Sequence, residues 1–322
     1  MENNVELRLS TAARALDRNR RVIEIEGGEE VPYDTCVLAT GSEPIQIPIP
    51  GADDPGVFVM RTIEDSTRLS GLVEPGDTVA VIGSGFIGCE VAASLSLRGA
   101  EITMISRGKL PQSTLLGEAA GEYIRAWLEG FGVRLKLGAS LESVERADGG
   151  YELTLDSGEK IPNDTVLFGT GARPCTALAE TAGLEIRSGR VVTDSSMRTS
   201  APGVFTVGDI SFAYNAAAGR HLHVAHWGEA LNHGRVAGTV IAGGEAAWDV
   251  SPGFWSTMRD KTLKYTAWGD GFDEARLVDH GEDAFTVWYS SEGICTGVLT
   301  HNFDEDYARG QKLIESGAPM PL

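Results

Sequence analysis

The sequence predicts an α/β protein built from two nested Rossmann-like, three-layer nucleotide-binding domains and a C-terminal α+β domain. The first observation is the stretch VIGSGFIG at residues 81–88, a glycine-rich turn between an apolar strand and an apolar helix. The second is a set of other apolar runs that each deliver a glycine, one before this turn and two after it. The third is the region from residue 248, where alternating strand patterns precede one helical pattern.

The central turn has the context that makes a G-x-G-x-x-G motif specific. The strand TVAVIG leads into the turn, an apolar-periodic helix ends near residue 99, and a second buried strand, EITMIS, follows. This order within about thirty residues is typical of a dinucleotide-binding unit. The first glycine permits the tight turn, the second lets the backbone approach a pyrophosphate, and the third allows close helix packing. The predicted dinucleotide contacts are Gly83, Gly85, Phe86, Ile87 and Gly88.

The residues after the second strand favour a phosphorylated dinucleotide. NAD sites usually place an acidic residue here, where it binds the ribose 2′-hydroxyl. Ser106 occupies that position and is followed by Arg107 and Lys109, whose charges suit a 2′-phosphate. The alternative is that both cations are solvated loop charges. We therefore expect NADP or NAD as a cofactor, with NADP favoured.

Three apolar runs surround this unit, namely VPYDTCVLATG at 31–41, DTVLFGTG at 164–171 and GVFTVGD at 203–209. Each is typical of a buried strand that ends at the carboxyl edge of a sheet, where nucleotides bind in open α/β folds. Because the dinucleotide unit lies between the first and the last run, the pattern predicts one nucleotide-binding domain inserted into another.

Composition limits the classes of partner. The 322 residues are 42% hydrophobic, as in globular proteins, and the net charge of −19 disfavours nucleic acid, whose phosphates require a basic surface. No stretch has the length of a membrane span and MENNVELRLS lacks signal-peptide features, so we expect a cytoplasmic protein without membrane contact. The cysteines form no C-x-x-C pair and are expected to be buried and reduced; they are Cys36, Cys89, Cys175 and Cys295.

The ordered set of motifs resembles the flavin-dependent pyridine-nucleotide oxidoreductases, most closely the ferredoxin, rubredoxin and putidaredoxin reductase type. The matching stretches are YDTCVLATGSEPIQIPIPGADDPGVFVMRTIED, VAVIGSGFIGCEVAASL, MRTSAPGVFTVGDI, VAHWGEALNHGRVAG and SPGFWS. The resemblance implies that residues 1–72 are the second part of an FAD-binding domain, which resumes at 193–247. It places an NAD(P)-binding domain at 73–192 and a C-terminal α+β reductase domain at 248–322.

This resemblance also implies an activity. Hydride would pass from NAD(P)H to FAD, and electrons would then pass to a small ferredoxin-like iron–sulfur protein. The cofactors carry this chemistry, so we expect no catalytic acid, base or nucleophile from the protein. Two alternatives stay open: a disulfide, peroxide or nitrite reductase on the same scaffold, and a flavin-free nucleotide-binding module. A homodimer is also left open.

The resemblance assigns individual residues to the cofactors. The implied FAD contacts are Ala13, Thr40, Gly41, Arg61, Gly208, Asp209, His226 and Trp227. Asp209 would hydrogen-bond the ribityl chain, and the helix that begins at His226 would direct its positive dipole at the flavin. Gly171 would close over the dinucleotide. Glu90 would lie near the nicotinamide amide, or else be a solvated first-turn carboxylate.

Family members carry their own glycine turn for the FAD pyrophosphate, and the printed sequence begins after that point. We favour a truncated sequence, or a segment supplied by another chain, over a free-standing flavoprotein. We expect the chain as written to bind FAD weakly or not at all.

The remaining histidines and tryptophans have simpler explanations. A run of four histidines, at 221, 223, 226 and 233, is attributed to a loop and a helix start rather than to a metal site. Trp255, Trp268 and Trp288 are expected in the core of the C-terminal domain, with the alternative that Trp255 faces a cofactor or partner.

Overall fold

The computed structural model describes residues 5–321 and divides the chain into two compact units. The first unit contains Met1–Ser42 and Pro174–Pro252, and the second contains Glu43–Arg173 and Gly253–Leu322. The domain boundaries predicted after residues 72, 192 and 247 stay predictions about which segments bind which nucleotide. No helix within residues 5–321 is both long and apolar enough to cross a membrane.

The elements are numbered along the chain. The strands up to residue 174 are Ala13–Asp17 (β1), Val22–Ile25 (β2), Glu30–Pro32 (β3), Cys36–Leu38 (β4), Ser42–Pro44 (β5), Phe58–Val59 (β6), Thr78–Ile82 (β7), Glu101–Ser106 (β8), Arg134–Leu137 (β9), Leu141–Ala147 (β10), Gly150–Leu155 (β11), Lys160–Asn163 (β12), Thr165–Phe168 (β13) and Ala172–Pro174 (β14). The later strands are Ile186–Arg187 (β15), Arg190–Thr193 (β16), Val204–Thr206 (β17), Ser211–Asn215 (β18), Arg220–Leu222 (β19), Gly253–Met258 (β20), Lys261–Ala267 (β21), Glu274–Gly281 (β22), Ala284–Ser291 (β23) and Ile294–His301 (β24). The helices are Ile63–Leu72 (α1), Phe86–Leu97 (α2), Ser113–Gly130 (α3), Ala177–Thr181 (α4), Trp227–Ile241 (α5) and Asp304–Ser316 (α6).

The second unit contains a five-stranded parallel sheet in the order β6-β13-β7-β8-β9. Alternate residues of β7 point to opposite faces, so Val79 and Val81 pack with α2 and α3 while Ala80 and Ile82 pack on the other side. That other side is covered by an antiparallel sheet of β10, β11 and β12. The result is the three-layer arrangement that the sequence predicts.

The same unit contains an antiparallel sheet in the order β20-β21-β24-β23-β22, with α6 packed on β24 and β21. Its buried residues share one core with those of α2 and α3. Trp268 and Trp288 are buried as expected. The core expectation is wrong for Trp255, which is 59% exposed because β20 alternates and this residue points outward.

The first unit is built around a short parallel pair, β4 and β17, in which Val37 lies opposite Phe205. Two small sheets complete it, in the orders β1-β2-β3 and β15-β16-β18-β19. Helix α4 contacts β1, and the buried Leu16, Leu38 and Ile210 belong to a single core. The α/β class with a C-terminal antiparallel domain is therefore confirmed.

Candidate functional site

A cleft of about 1100 Å³ opens in the second unit at the carboxyl ends of β7, β8 and β13. Of the residues predicted to contact the dinucleotide, six line this cleft: Gly83, Gly85, Phe86, Ser106, Arg107 and Gly171. Gly88 is buried beneath the turn, while Ile87 and Glu90 lie outside the lining. The carboxyl edge of a parallel sheet is where open α/β folds bind nucleotides.

Close backbone packing explains two of the three motif glycines. Gly83 has a φ of 104°, and a Cβ there would lie 2.5 Å from the carbonyl oxygen of Gly169. A Cβ on Gly88 would collide with the carbonyl oxygen of Gly83. Gly169 also has little room for a side chain, because a Cβ there would lie 3.1 Å from the Cα of Gly88. Helix α2 therefore starts against the ends of β7 and β13, as the motif predicts.

Gly85 differs from these glycines because space surrounds it. A Cβ at Gly85 would meet no atom within 4 Å, and the residue is exposed. Gly85 is the N-cap of α2 and supplies no side-chain cap, and the first turn contains no acidic residue. The first N–H groups of the helix and the positive end of its dipole are therefore available to an anion.

Ser106 occupies the end of β8, where it links two turns. Its hydroxyl lies 2.8 Å from the hydroxyl of Ser84 and accepts a hydrogen bond of 3.2 Å from the Gly108 amide. The neighbouring Arg107 and Lys109 are exposed, and neither forms an ion pair within the described part of the chain. Both cations are therefore available to a phosphate, although their orientation toward one stays a prediction.

Glu90 has protein partners that sequence reasoning did not anticipate. Its Oε1 accepts hydrogen bonds from the Ser256 hydroxyl at 2.7 Å and from the Thr257 amide at 3.3 Å. The description of Glu90 as a simply solvated carboxylate is wrong, because the residue anchors β20 to α2. A contact between Glu90 and the nicotinamide amide stays a prediction.

Several cleft residues were missed by the sequence analysis. They are Ile47–Ile49, Gly108, Leu110, Gln112–Leu115, Ala139–Leu141, Gly169 and Thr170. Gly169 and Thr170 could have been predicted from the run FGTG, because this run resembles the end of a second nucleotide-binding strand. The other segments carry no motif, and only the folded sheet brings them to one place.

Gln112 is the least expected of these residues. The residue is 8% exposed, and neither the amide nitrogen nor the amide oxygen forms a hydrogen bond with an oxygen or nitrogen atom within residues 5–321. Nearby, Cys89 is fully buried and donates a hydrogen bond to the Ser84 carbonyl. Burial raises the pKa of the Cys89 thiol to about 12, and a contact with the Gln112 side-chain amide opposes this rise.

In the first unit, the predicted FAD residues Gly208 and Asp209 follow β17 in a single 3-10 turn. Gly208 has a φ of 73°, a conformation that favours glycine. The Asp209 carboxylate accepts a hydrogen bond from Ser42, and its carbonyl accepts one of 3.2 Å from Arg190. The turn is therefore fixed at the carboxyl end of β17.

Helix α5 begins at Trp227 with His226 as its N-cap, as predicted, and His226 provides no side-chain cap. Burial lowers the pKa of His226, partly offset by Asp209. Two turns further along, His233 is buried and its Nδ1 accepts a 3.3 Å hydrogen bond from the Gly208 amide. Burial lowers the pKa of His233 to about 4, so the ring is neutral at pH 7.

The other predicted FAD residues are more scattered. Ala13 is exposed on β1, where it pairs with Ile25, and Thr40 donates a 2.6 Å hydrogen bond to the Cys175 carbonyl. Gly41 has a φ of 65° and its carbonyl accepts a bond from the Cys175 amide. Arg61 belongs to the second unit, where its amide donates to the Asp65 carboxylate before α1.

Comparison with known proteins places these features in a family. Residues 1–234 match the sequence profile described as pyridine nucleotide-disulphide oxidoreductase. The chain belongs to the pyridine nucleotide-disulphide oxidoreductase family. The resemblance inferred from the motifs is thereby confirmed.

Similar proteins include two that are named as reductases. The chain is 33% identical to a rubredoxin-NAD(+) reductase of Pseudomonas putida over 263 residues. These aligned residues make up 81% of this chain and 68% of that enzyme. It is 29% identical over 304 residues to mouse apoptosis-inducing factor 3, which covers 93% of the chain but only 50% of that protein. A crystal structure of a ferredoxin reductase from Rhodopseudomonas palustris superposes with a TM-score of 0.90 at 25% identity, over 97% of this chain and 77% of the other. The chain is therefore of the ferredoxin reductase type, whose members are FAD-dependent NAD(P)H oxidoreductases.

The residues present fit the two nucleotides that this family uses. For the dinucleotide, the open Gly85, the uncapped α2 and the side-chain amide of Gln112 supply space and donors at one cleft. For FAD, the turn at Gly208 and the uncapped start of α5 supply a close backbone approach and a positive dipole.

Proposed function

We propose that this chain works in a reductase that takes electrons from NADPH and passes them through FAD to a small ferredoxin-like iron–sulfur protein. The observation that supports it most is the start of α2 at Gly85, an uncapped helix N-terminus that opens into the cleft. When bound, NADPH supplies a hydride and FAD accepts it and releases the electrons. The protein residues bind, orient and shield these groups.

The proposed division of roles follows the geometry. In the second unit, the first amides of α2 would hold the pyrophosphate and Arg107 would hold the 2′-phosphate. In the first unit, Asp209 would bind the ribityl hydroxyls, and the dipole of α5 would stabilise negative charge on the reduced flavin. The remaining predicted FAD contacts keep supporting roles in this proposal.

An iron–sulfur acceptor is supported by the relatives, two of which are named as reductases of rubredoxin or ferredoxin. The rubredoxin reductase is named with NAD(+), and our preference for NADPH rests on Ser106 and Arg107 of this chain. Cys36 and Cys89 give no support to a thiol mechanism, because burial raises their pKa values to about 11 and about 12. Such thiols stay protonated near neutral pH.

The test uses the purified chain with FAD in large excess, because we expect its FAD binding to be weak. We expect saturable NADPH binding, followed by NADPH-driven reduction of ferricyanide and of a [2Fe–2S] ferredoxin. A folded variant with all four cysteines changed to serine should keep ferricyanide reduction. The proposal fails if the chain binds no dinucleotide, or if a disulfide or peroxide is reduced in preference to ferredoxin and the serine variant loses that reaction.

A further inference from the structure

Gln112 combines two features that rarely occur together away from a binding site. Its side chain is more than nine-tenths buried, and among the described residues its amide meets no oxygen or nitrogen partner but only the Cys89 thiol, yet the residue lines the dinucleotide cleft. Buried side-chain amides are almost always hydrogen-bonded, because an amide that loses its hydrogen bonds to water and gains none in the protein destabilises the fold. An amide left in this condition at a cleft wall indicates a partner that arrives with the ligand.

The backbone of Gln112 is held in an unusual conformation. Its φ of 56° and ψ of 5° lie in the left-handed region, which a residue with a side chain rarely adopts. Its amide donates a 3.0 Å hydrogen bond to the Ser84 carbonyl, and its own carbonyl accepts from the amides of Leu115 and Leu116. A side chain on Gly121 would collide with this loop, since its Cβ would lie 2.9 Å from the Leu110 Cβ. The surrounding structure therefore maintains a strained residue beside the glycine turn.

The chemistry of the neighbourhood identifies the group that the amide would bind. Through Ser84, Gln112 is one hydrogen bond away from the turn whose N–H groups face an anion. A carboxamide NH2 donates hydrogen bonds, and phosphate oxygens only accept them. The Cys89 thiol beside it is neutral and a weak partner.

We propose that Gln112 is a pyrophosphate-binding residue of the dinucleotide site, and that its side-chain amide donates to a phosphate oxygen. This inference rests on the proposed function, because it assumes that the cleft binds NADPH. Its side chain adds one donor to those of the α2 amides, and the donor comes from the N-cap residue of α3 rather than from the glycine motif.

The test is a binding experiment on the full chain with Gln112→Met, which keeps the length of the side chain and removes the amide. We expect NADPH and ADP-ribose to bind roughly 10-fold more weakly or worse, since a hydrogen bond to a charged oxygen is lost. Binding of 2′-AMP, which has no pyrophosphate, should not change. Gln112→Glu should weaken NADPH further, because a carboxylate would face the phosphates. The melting temperature of dinucleotide-free Gln112→Met should rise, because an unpaired buried amide has been removed.

Asn163 provides the matched control, as a buried amide of the same unit that donates to the Ile161 carbonyl. Asn163→Leu should lower the melting temperature and leave NADPH binding unchanged. The inference is overturned if Gln112→Met leaves the dissociation constant unchanged, lowers the melting temperature, or weakens NADPH without weakening ADP-ribose. If the unaltered chain binds no dinucleotide at all, the proposed function itself fails.

Discussion

The hydroxyl oxygens of Ser84 and Ser106 lie 2.8 Å apart, and their hydrogen bond joins the glycine turn to the end of β8. Ser106 also accepts from the Gly108 amide, so one side chain fixes both turns. The position that selects between dinucleotides in this fold is therefore also a structural connection in this chain. We therefore predict that a substitution at Ser106 changes cofactor preference and turn geometry together, whereas one at Arg107 changes charge alone.

We predict that NADPH binds roughly 10- to 100-fold more tightly than NADH, because a charge-assisted contact from Arg107 contributes about 1.5 to 3 kcal/mol. Arg107→Ala should weaken NADPH and leave NADH unchanged. Ser106→Glu combined with Arg107→Ala should reverse the preference. Fluorescence titrations with both dinucleotides measure this, and Lys109→Ala is the comparison for a neighbouring exposed charge. Equal losses for NADPH and NADH in Arg107→Ala would show that Arg107 is only a surface cation.

The same substitution to alanine should affect ligand binding at one glycine of the turn and stability at another. In Gly85→Ala the new methyl group enters open space, so the melting temperature should hardly change, while NADPH binding should weaken because the pyrophosphate approaches there. In Gly88→Ala the methyl group collides with the Gly83 carbonyl, so the protein should be destabilised. Thermal unfolding and NADPH titration of both variants decide this. A Gly85→Ala variant that binds NADPH normally would place the ligand elsewhere.

Glu90 and Ser256 should be coupled in stability. Each single change to alanine should lower the free energy of unfolding by roughly 1 to 3 kcal/mol, because the partner is left unpaired, and the double variant should lose less than the sum. Urea unfolding of the four proteins measures the coupling. A nicotinamide contact makes a separate claim, namely that Glu90→Ala weakens NADPH but not ADP-ribose. If both ligands bind unchanged, Glu90 serves only to anchor β20.

His233 should make the first unit sensitive to acid. Its pKa of about 4 in the folded protein is below the ordinary value of 6.5, so the unfolded chain binds more protons between these pH values. Stability should therefore fall as the pH drops from about 6.5 to about 4, by roughly 3 kcal/mol from this residue. Protonation of Nδ1 would also remove the acceptor for the Gly208 amide.

Urea unfolding at pH 7 and pH 4.5 tests the role of His233, with the fluorescence of the buried Trp248 as the probe because the two rings are 4.6 Å apart. His233→Gln should lose less stability on acidification than the unaltered chain. His221→Gln, at a half-buried histidine, is the control. An equal acid loss with and without His233 would contradict the prediction.

The sequence predicted the parts of the site that depend on local spacing. Gly83, Gly85 and Gly88 lie on one turn, so their roles follow from a motif and a strand–helix order. The end of β8 follows from the next strand in the same unit, which identified Ser106 and Arg107 as cleft residues. These features can be predicted without knowing how distant segments of the chain pack together.

Other features could not be predicted because they depend on long-range packing. Glu90 and Ser256 are 166 residues apart, and nothing in either stretch indicates the other. Gln112 lies in a loop without a motif, where its amide is bound to the distant Ser84 carbonyl and the neighbouring Leu110 packs closely against Gly121. Trp255 belongs to a strand whose alternation was recognised, but the side that faces the core depends on where α2 and α3 lie.

Because β20 follows α2 by more than 150 residues, the contact between them can form only late in translation. Residues 90–97 emerge early, yet the strand that covers their helix is synthesised more than 150 residues later. At 5 to 20 residues per second, that interval is on the order of ten to thirty seconds. During it, the apolar face of α2 that later packs with Phe254 and Met258 has no permanent cover, and it is open to chaperones or to wrong contacts. A nascent chain stalled before residue 253 should therefore be more readily captured by a chaperone than one stalled after residue 301.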